Sequence, residues 1–163
     1  MYILSEDLFE TKYKLYAQDL MNVCYGYTRD KYASEDLVQN VFIKFINCNK
    51  SFNDTSEEKF WLIRVAINEC KNYLKSRKRV VLNEEIIEYI SPKVDKSDDV
   101  YIISRIVKDL PEKYRSVIVL FYYDSLSIND ISITLKISID DVKKRLERAR
   151  KMIKAMMEDG YAR

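Results

Sequence analysis

The 163-residue chain contains no histidine, and only two glycines, two prolines and three cysteines. Without histidine there is no Ser-His-Asp or Cys-His catalytic arrangement, no HExxH zinc site and no side chain that ordinarily titrates near neutrality. With Gly26 and Gly160 as the only glycines, neither a GxxxxGK[ST] nor a GxGxxG loop can be written, which removes the phosphate-cradling nucleotide folds. Cys24, Cys48 and Cys70 are odd in number and far apart, matching neither a disulfide framework nor a CxxC metal knuckle, so buried or idle thiols are expected. No run of about 18 uncharged residues marks a membrane span, and the N-terminal residues lack the pattern of a signal peptide. The expectation is a cytoplasmic protein that is not an enzyme and needs no metal or cofactor.

Apolar residues make up 47% of the chain and aromatic ones 12%, enough for a core in one ordinary domain or two small ones. Charge is nearly balanced overall, at +2, but unevenly placed. Residues 1–79 carry 13 basic and 11 acidic groups, residues 80–100 carry 2 and 6, and residues 101–163 carry 13 and 9. An acidic connector thus separates two basic parts. The cations concentrate further, six between Arg64 and Arg79 and seven between Lys143 and Lys154, as two contacts with a polyanion would require.

Scarce Gly and Pro with 3.6-residue periodicity predict an all-α chain. Ser5 caps a first helix with Leu8, Phe9, Tyr13, Tyr16, Leu20, Val23 and Tyr27 on its apolar face. A second helix is expected from about Ser34, with Leu37, Val38, Val41, Phe42, Phe45 and Ile46 inward. The polar run from Asn47 to Ser56 reads as a loop, and a third helix from Glu57 puts Phe60, Ile63, Ile67, Cys70 and Leu74 inside. Weak periodicity and Pro92 mark 80–100 as a flexible linker. A helix from Val100 and another beginning at Pro111 follow. The S-x-x-D starts at Ser127 and Ser138, separated by Leu135–Ile137, then describe a helix-turn-helix.

In the last helix Val142, Leu146, Ala149 and Ile153 fall on one face, leaving Lys143, Lys144, Glu147, Arg148 and Lys151 on the other. Lysine can address guanine acceptors, Glu147 can accept from cytosine, and Arg145 and Arg150 can hold phosphates. In the third helix Arg64, Asn68, Lys71 and Lys75 form a second basic row, with Asn72 and Trp61 beside it. That row suits backbone neutralisation, and Trp61 reads either as a stacking surface for an opened base or as a core side chain.

The segments SEDLVQNVFIKF, FWLIRVAINECKNYLKSRKR and DLPEKYRSVIVLFYYDSLSINDISITLKISIDDVKKRLERARK, in this order and spacing, resemble the extracytoplasmic-function group of bacterial sigma factors. The resemblance implies two small helical domains, region 2 (1–79) and region 4 (101–163), joined by the acidic linker 80–100, and a promoter-recognition subunit of RNA polymerase. It implies docking of Asp36, Gln39, Asn40 and Phe42 on the clamp helices of the polymerase β′ subunit. It implies capture of a −10 base by the loop carrying Asn47, Asn49, Lys50, Ser51, Phe52 and Asn53, and contact of Trp61, Arg64, Asn68, Lys71, Asn72 and Lys75 with the opening −10 duplex. For region 4 it implies a grip on the β flap and reading of the −35 element through Lys143, Lys144, Arg145, Glu147, Arg148 and Arg150. An anti-sigma factor is an implied partner. Lys136 stands where the family commonly has glycine, so either it takes a left-handed conformation at roughly 1 kcal/mol or the turn differs. A free-standing helix-turn-helix regulator and a helical adaptor without a nucleic-acid role are the alternative readings.

Overall fold

The computed structural model describes residues 5–83 and 98–159, with side chains for 5–77 and 102–159. Among these residues every regular element is helical. Helix α1 (Glu6–Thr28) starts at Ser5, whose hydroxyl accepts from the Leu8 N–H at 3.3 Å, with Glu6 and Asp7 favouring its positive end. It ends on Arg29, left-handed at φ 55°, whose N–H donates to the Tyr25 carbonyl at 2.9 Å. Helix α2 (Lys31–Asn47) begins three residues before the expected Ser34, because Asp30 supplies the cap by accepting from the Ala33 N–H at 3.1 Å. Ser34 is instead fully buried in the α1–α2 corner, its hydroxyl 2.8 Å from that of Thr28.

Helix α3 (Thr55–Asn83) is started by Asp54, which accepts from the Glu57 N–H, while the Glu57 carboxylate reaches back to the Asn53 N–H, both at 2.8 Å. These three helices pack on one another. Their shared core holds Leu20, Val23, Cys24, Tyr27, Val41, Leu62, Ile63 and Cys70. The N-terminal part of the stripe expected for α1 is not covered, since Leu8 and Tyr13 are exposed.

Helices α4 (Asp98–Asp109), α5 (Glu112–Ile118), α6 (Ile128–Leu135) and α7 (Ile139–Glu158) form the second set. Helix α5 runs directly into a π-helical turn, Val119–Tyr123, closed by the Asp124 N–H donating to the Val119 carbonyl at 3.2 Å. The linker expected at 80–100 is shortened at both ends, as α3 continues to Asn83 and α4 starts at Asp98. No breaker interrupts 80–83, and Asp98 and Asp99 suit the first turn of a helix. The rest of that expectation, 84–97, lies outside the described residues.

The two sets touch. Helix α1 lies against α4 and the π turn, and α3 against α6, so one apolar cluster runs from Leu20 and Val23 through Val119 and Leu120 to Leu146. Gly26 allows this approach, because a Cβ there would stand 2.8 Å from Val119 Cγ1 and 3.2 Å from Tyr123 Cγ. Beside it the Tyr27 hydroxyl donates to Glu112 at 2.7 Å.

The α6–α7 turn takes the strained form anticipated for Lys136, at φ 56° and ψ 45°. The Ile137 N–H donates to the Ser132 carbonyl at 3.1 Å, and the Ser132 hydroxyl donates back to the Ile137 carbonyl at 2.6 Å. Lys136→Gly is therefore expected to raise stability by about 0.5–1 kcal/mol, read as a higher urea midpoint at unchanged m-value.

Candidate nucleic-acid and polymerase-docking surfaces

Helix α7 is fixed at its start by Ser138, which accepts from the Asp141 N–H at 3.1 Å, and along its length by the buried Val142, Leu146 and Ala149. That seating leaves Lys143, Lys144, Glu147 and Arg148 exposed and Arg145 half-buried. Glu147 pairs with Lys151 at 3.1 Å across an exposed turn, a contact worth a few tenths of a kcal/mol that a competing ligand can break. Arg150 is less free than its place in the sequence implies. Its Nε donates to the Tyr122 hydroxyl at 2.8 Å, and its guanidinium lies 5.6 Å from both the Phe121 and Tyr122 ring centres. Arg150 is thus oriented by the π turn, a partnership that no spacing in the sequence announces.

On α3, Asn68, Asn72 and Lys75 are exposed, with Arg64 and Lys71 half-buried alongside, while Leu62, Ile63, Ala66, Ile67 and Cys70 face the core. Trp61 satisfies part of both readings. It is half-buried, with ring centres 6.3 Å from Phe45 and 5.6 Å from Phe52. Phe52 belongs to the loop between α2 and α3, where Asn49, Lys50, Ser51 and Asn53 are exposed, while Asn47, expected in the loop, is the exposed last residue of α2. A recess of about 260 Å³ opens beside this loop, walled by Lys50, Ser51, Phe52, Phe45 and Leu8. Glu58 is held at its edge, accepting from Lys12 at 2.6 Å and from the Tyr16 hydroxyl at 2.7 Å. Burial first, and then the Glu58 carboxylate, push the Tyr16 phenol well above its ordinary range, so it stays a donor. The Glu58 network was not among the sequence expectations, since its partners lie about forty residues away in the chain.

Of the four α2 residues assigned to docking, Asp36, Gln39 and Asn40 are exposed on one side of the helix. Phe42 is not. It is 2% exposed, its ring 5.9 Å from that of Phe9 and 4.9 Å from that of Tyr13. The apolar stripe that places Leu37 and Val41 inside carries Phe42 in with them. The exposed apolar groups of this helix are instead Tyr32 at 79%, Ile43 at 55% and Ile46, which is expected inward from the sequence, and Ile43 follows Asp36 and Gln39 at i+7 and i+4.

Comparison with known proteins bears on these surfaces. The family described as Sigma-70 region 2 matches residues 13–80, and that described as Sigma-70, region 4 matches residues 101–153. The ECF RNA polymerase sigma factor SigM of Bacillus subtilis is 29% identical, over 91% of this chain and 94% of its own length. The ECF RNA polymerase sigma-E factor of Haemophilus influenzae is 31% identical, over 72% of this chain and 71% of its own. The chain belongs to the extracytoplasmic-function sigma factors of the sigma-70 family. Its fold is likewise that of the sigma factor RpoE, solved in complex with the anti-sigma factor NepR from Bartonella quintana. That structure has a TM-score of 0.70 at 25% identity and covers 94% of this chain and 98% of that one. CnrH, solved in complex with the cytosolic domain of CnrY, shares the fold with a TM-score of 0.72, at 18% identity over 96% of this chain and 91% of that one.

Helices α1–α3 are accordingly region 2 and α4–α7 region 4 of a sigma factor. No described helix is long and apolar enough to cross a membrane. Phe42 and Ile43 differ in setting, one packed in the core and one exposed. Phe42→Ala should cost about 3–4 kcal/mol of stability, whereas Ile43→Ala should leave the thermal midpoint within a degree or two of wild type, as two thermal melts would read.

Proposed function

We propose that this sigma factor directs promoter-specific initiation by docking α2 on the clamp helices of core RNA polymerase and presenting its two basic helices to separate promoter elements. The observation that carries this is the presence, in one chain, of two core-seated helices whose outward faces are cationic, together with an exposed α2 face of Asp36, Gln39, Asn40 and Ile43. A free-standing operator-binding protein would use α6 and α7 and have no need of the others.

In region 4, Lys143, Lys144 and Glu147 stand nearest the base edges of a −35 major groove, with Arg148 at its margin and Arg145 and Arg150 toward the phosphates. Tyr122 holds Arg150 in a preferred direction, which reduces the entropy lost when it meets a phosphate. In region 2, Arg64, Lys71 and Lys75 neutralise backbone around the −10 element while Asn68 and Asn72 offer donors and acceptors. The recess beside Lys50, Ser51 and Phe52 accepts an unstacked base, and these contacts offset the few kcal/mol that unstacking costs. Region 4 also grips the β flap, and the polymerase performs the chemistry in the cytoplasm. The kinship with sigma factors solved in anti-sigma complexes supports control of this chain by such an inhibitor.

Run-off transcription with core polymerase on the gene's own upstream region tests the reading, with loss on Asp36→Ala or Gln39→Ala as the expected result. A gel shift that binds the same DNA tightly without polymerase would favour the free-standing regulator. Within region 4, Lys144→Ala should cost roughly 1–3 kcal/mol on the preferred −35 sequence and relax preference at one position. Arg150→Ala should weaken all sequences alike and flatten the salt dependence by about one unit. A promoter library transcribed by each variant across a salt series separates the two, and equal, sequence-independent losses would move −35 discrimination from base contacts to DNA shape.

A further inference from the structure

Where α1 meets the π turn, two carboxyl groups face each other. Asp124 ends the π turn and is 6% exposed. Its Oδ1 accepts a long hydrogen bond, 3.5 Å, from Asn22 Nδ2, and its buried Oδ2 finds no donor. Asp19 of α1 lies within hydrogen-bonding reach of the same carboxyl group. If both groups are ionised, this is an acceptor against an acceptor, with an orphaned buried oxygen and a like-charge repulsion. A single proton between them removes both penalties. We propose that this contact is a proton-linked latch, in which one proton shared by Asp19 and Asp124 holds regions 2 and 4 closed on each other and its release to solvent lets them part.

The geometry around the pair is that of a latch because Asp124 of region 4 meets Asp19 and Asn22 of region 2 across the domain boundary. Asp19 and Asn22 come from α1, Lys59 comes from α3, and Asp124 comes from the end of the π turn. Lys59 Nζ sits 3.5 Å from Asp19 Oδ2, so Asp19 keeps the counter-ion and Asp124 is the natural holder of the proton. Helix α6, packed beside the turn, carries one titratable residue, Asp130, in its first turn. Elsewhere on the boundary Arg29 lies over the Tyr123 ring at 5.7 Å, Tyr27 donates to Glu112, and Lys108 is near Arg77. Burial and then the Arg77 charge lower Lys108 from its ordinary 10.5. That shift acts in the opposite sense to the carboxyl pair.

Burial, and after it the Asp19 carboxyl, push Asp124 from the ordinary carboxylate value up to about 8, against smaller opposing pulls from Asn22 and Lys59. The closed state therefore binds the proton more tightly than the open state. Its added stability is complete below about pH 4 and is lost as pH rises through about 8. Within that window the ratio of closed to open chains falls by at most tenfold per pH unit for one proton.

Opening matters on simple length. A compact chain of this size has a radius of gyration of about 15 Å and is roughly 40 Å across. Boxes centred near −10 and −35 are separated by about 85 Å of duplex at 3.4 Å per base pair. A closed chain cannot reach both. The latch itself is read from the free protein, so its failure would leave the sigma-factor reading untouched.

Small-angle X-ray scattering of the free, full-length chain from pH 5.5 to 8.5 at fixed ionic strength tests it, with circular dichroism to certify helicity. The wild type should be compact at pH 5.5 and expand toward pH 8.5. Asp124→Asn, whose amide can donate to Asp19 without titrating, should stay compact throughout, and Asp19→Asn should blunt the pH response from the other side. Gly26→Leu, which forces α1 away from Val119, should be expanded at every pH with its helices intact. Wild-type dimensions that do not change over this range would overturn the latch, as would a wild-type pH response retained in Asp124→Asn.

Discussion

The absence of a side chain at Gly26 sets how closely the two halves of this molecule approach, and much else depends on that distance. A Cβ there would run into Val119 and Tyr123, so only glycine lets α1 lie against the π turn and lets two small cores become one. Units of some seventy residues bury little of their own surface and are marginal alone. Joining them adds Tyr27, Val119 and Leu120 to a common interior, all at or near zero exposure. The same economy sets a limit on function, because whatever separates the halves exposes these groups and must replace the contact with another surface.

The cationic faces depend on a different kind of order, namely rigidity at the helix starts. Ser138 fixes the first turn of α7, and Asp54 with Glu57 fixes that of α3. Side chains carried on capped, core-seated helices keep their mutual spacing, and long-range attraction alone cannot supply register on DNA. Region 2 adds a buried polar anchor, since Glu58 draws Lys12 and Tyr16 of α1 onto the start of α3 beside the recess. Both donors converge on its Oε1, and a charge-assisted pair of this kind is what makes a buried carboxylate tolerable there.

Much of this was legible in the sequence because it is local. The caps at Ser5, Ser127 and Ser138 and the strained Lys136 follow from residues within a turn of one another, and the inward faces of α3 and α7 from periodicity alone. The polymerase-docking face was only partly legible. Periodicity places Phe42 inward, as the structure has it, and the conflicting docking assignment comes from the family resemblance rather than from the pattern of α2. The start of α2 was missed because Asp30 follows α1 almost without a gap, and two adjoining helical patterns hide the turn between them. The π turn, the Tyr122–Arg150 contact and the packing of region 2 against region 4 left no signal. Residues facing another domain are apolar or paired in the same way as residues facing a domain's own core.

The boundary also explains how a chain without histidine can respond to protons near neutrality. The residue that ordinarily does so is absent, and isolated carboxylates titrate near 4. Two carboxyl groups brought together and removed from water behave differently, because ionising the second leaves like charges in a medium that screens them poorly. The pairing does not exist within region 2 or region 4 alone, since Asp19 and Asp124 belong to different halves and the buried Asp124 meets Asp19 only where the halves touch. The response is therefore a property of the assembled boundary rather than of either residue. Opening the domains returns Asp124 to water and abolishes the shift that helped to open them, so conformation and proton binding change together.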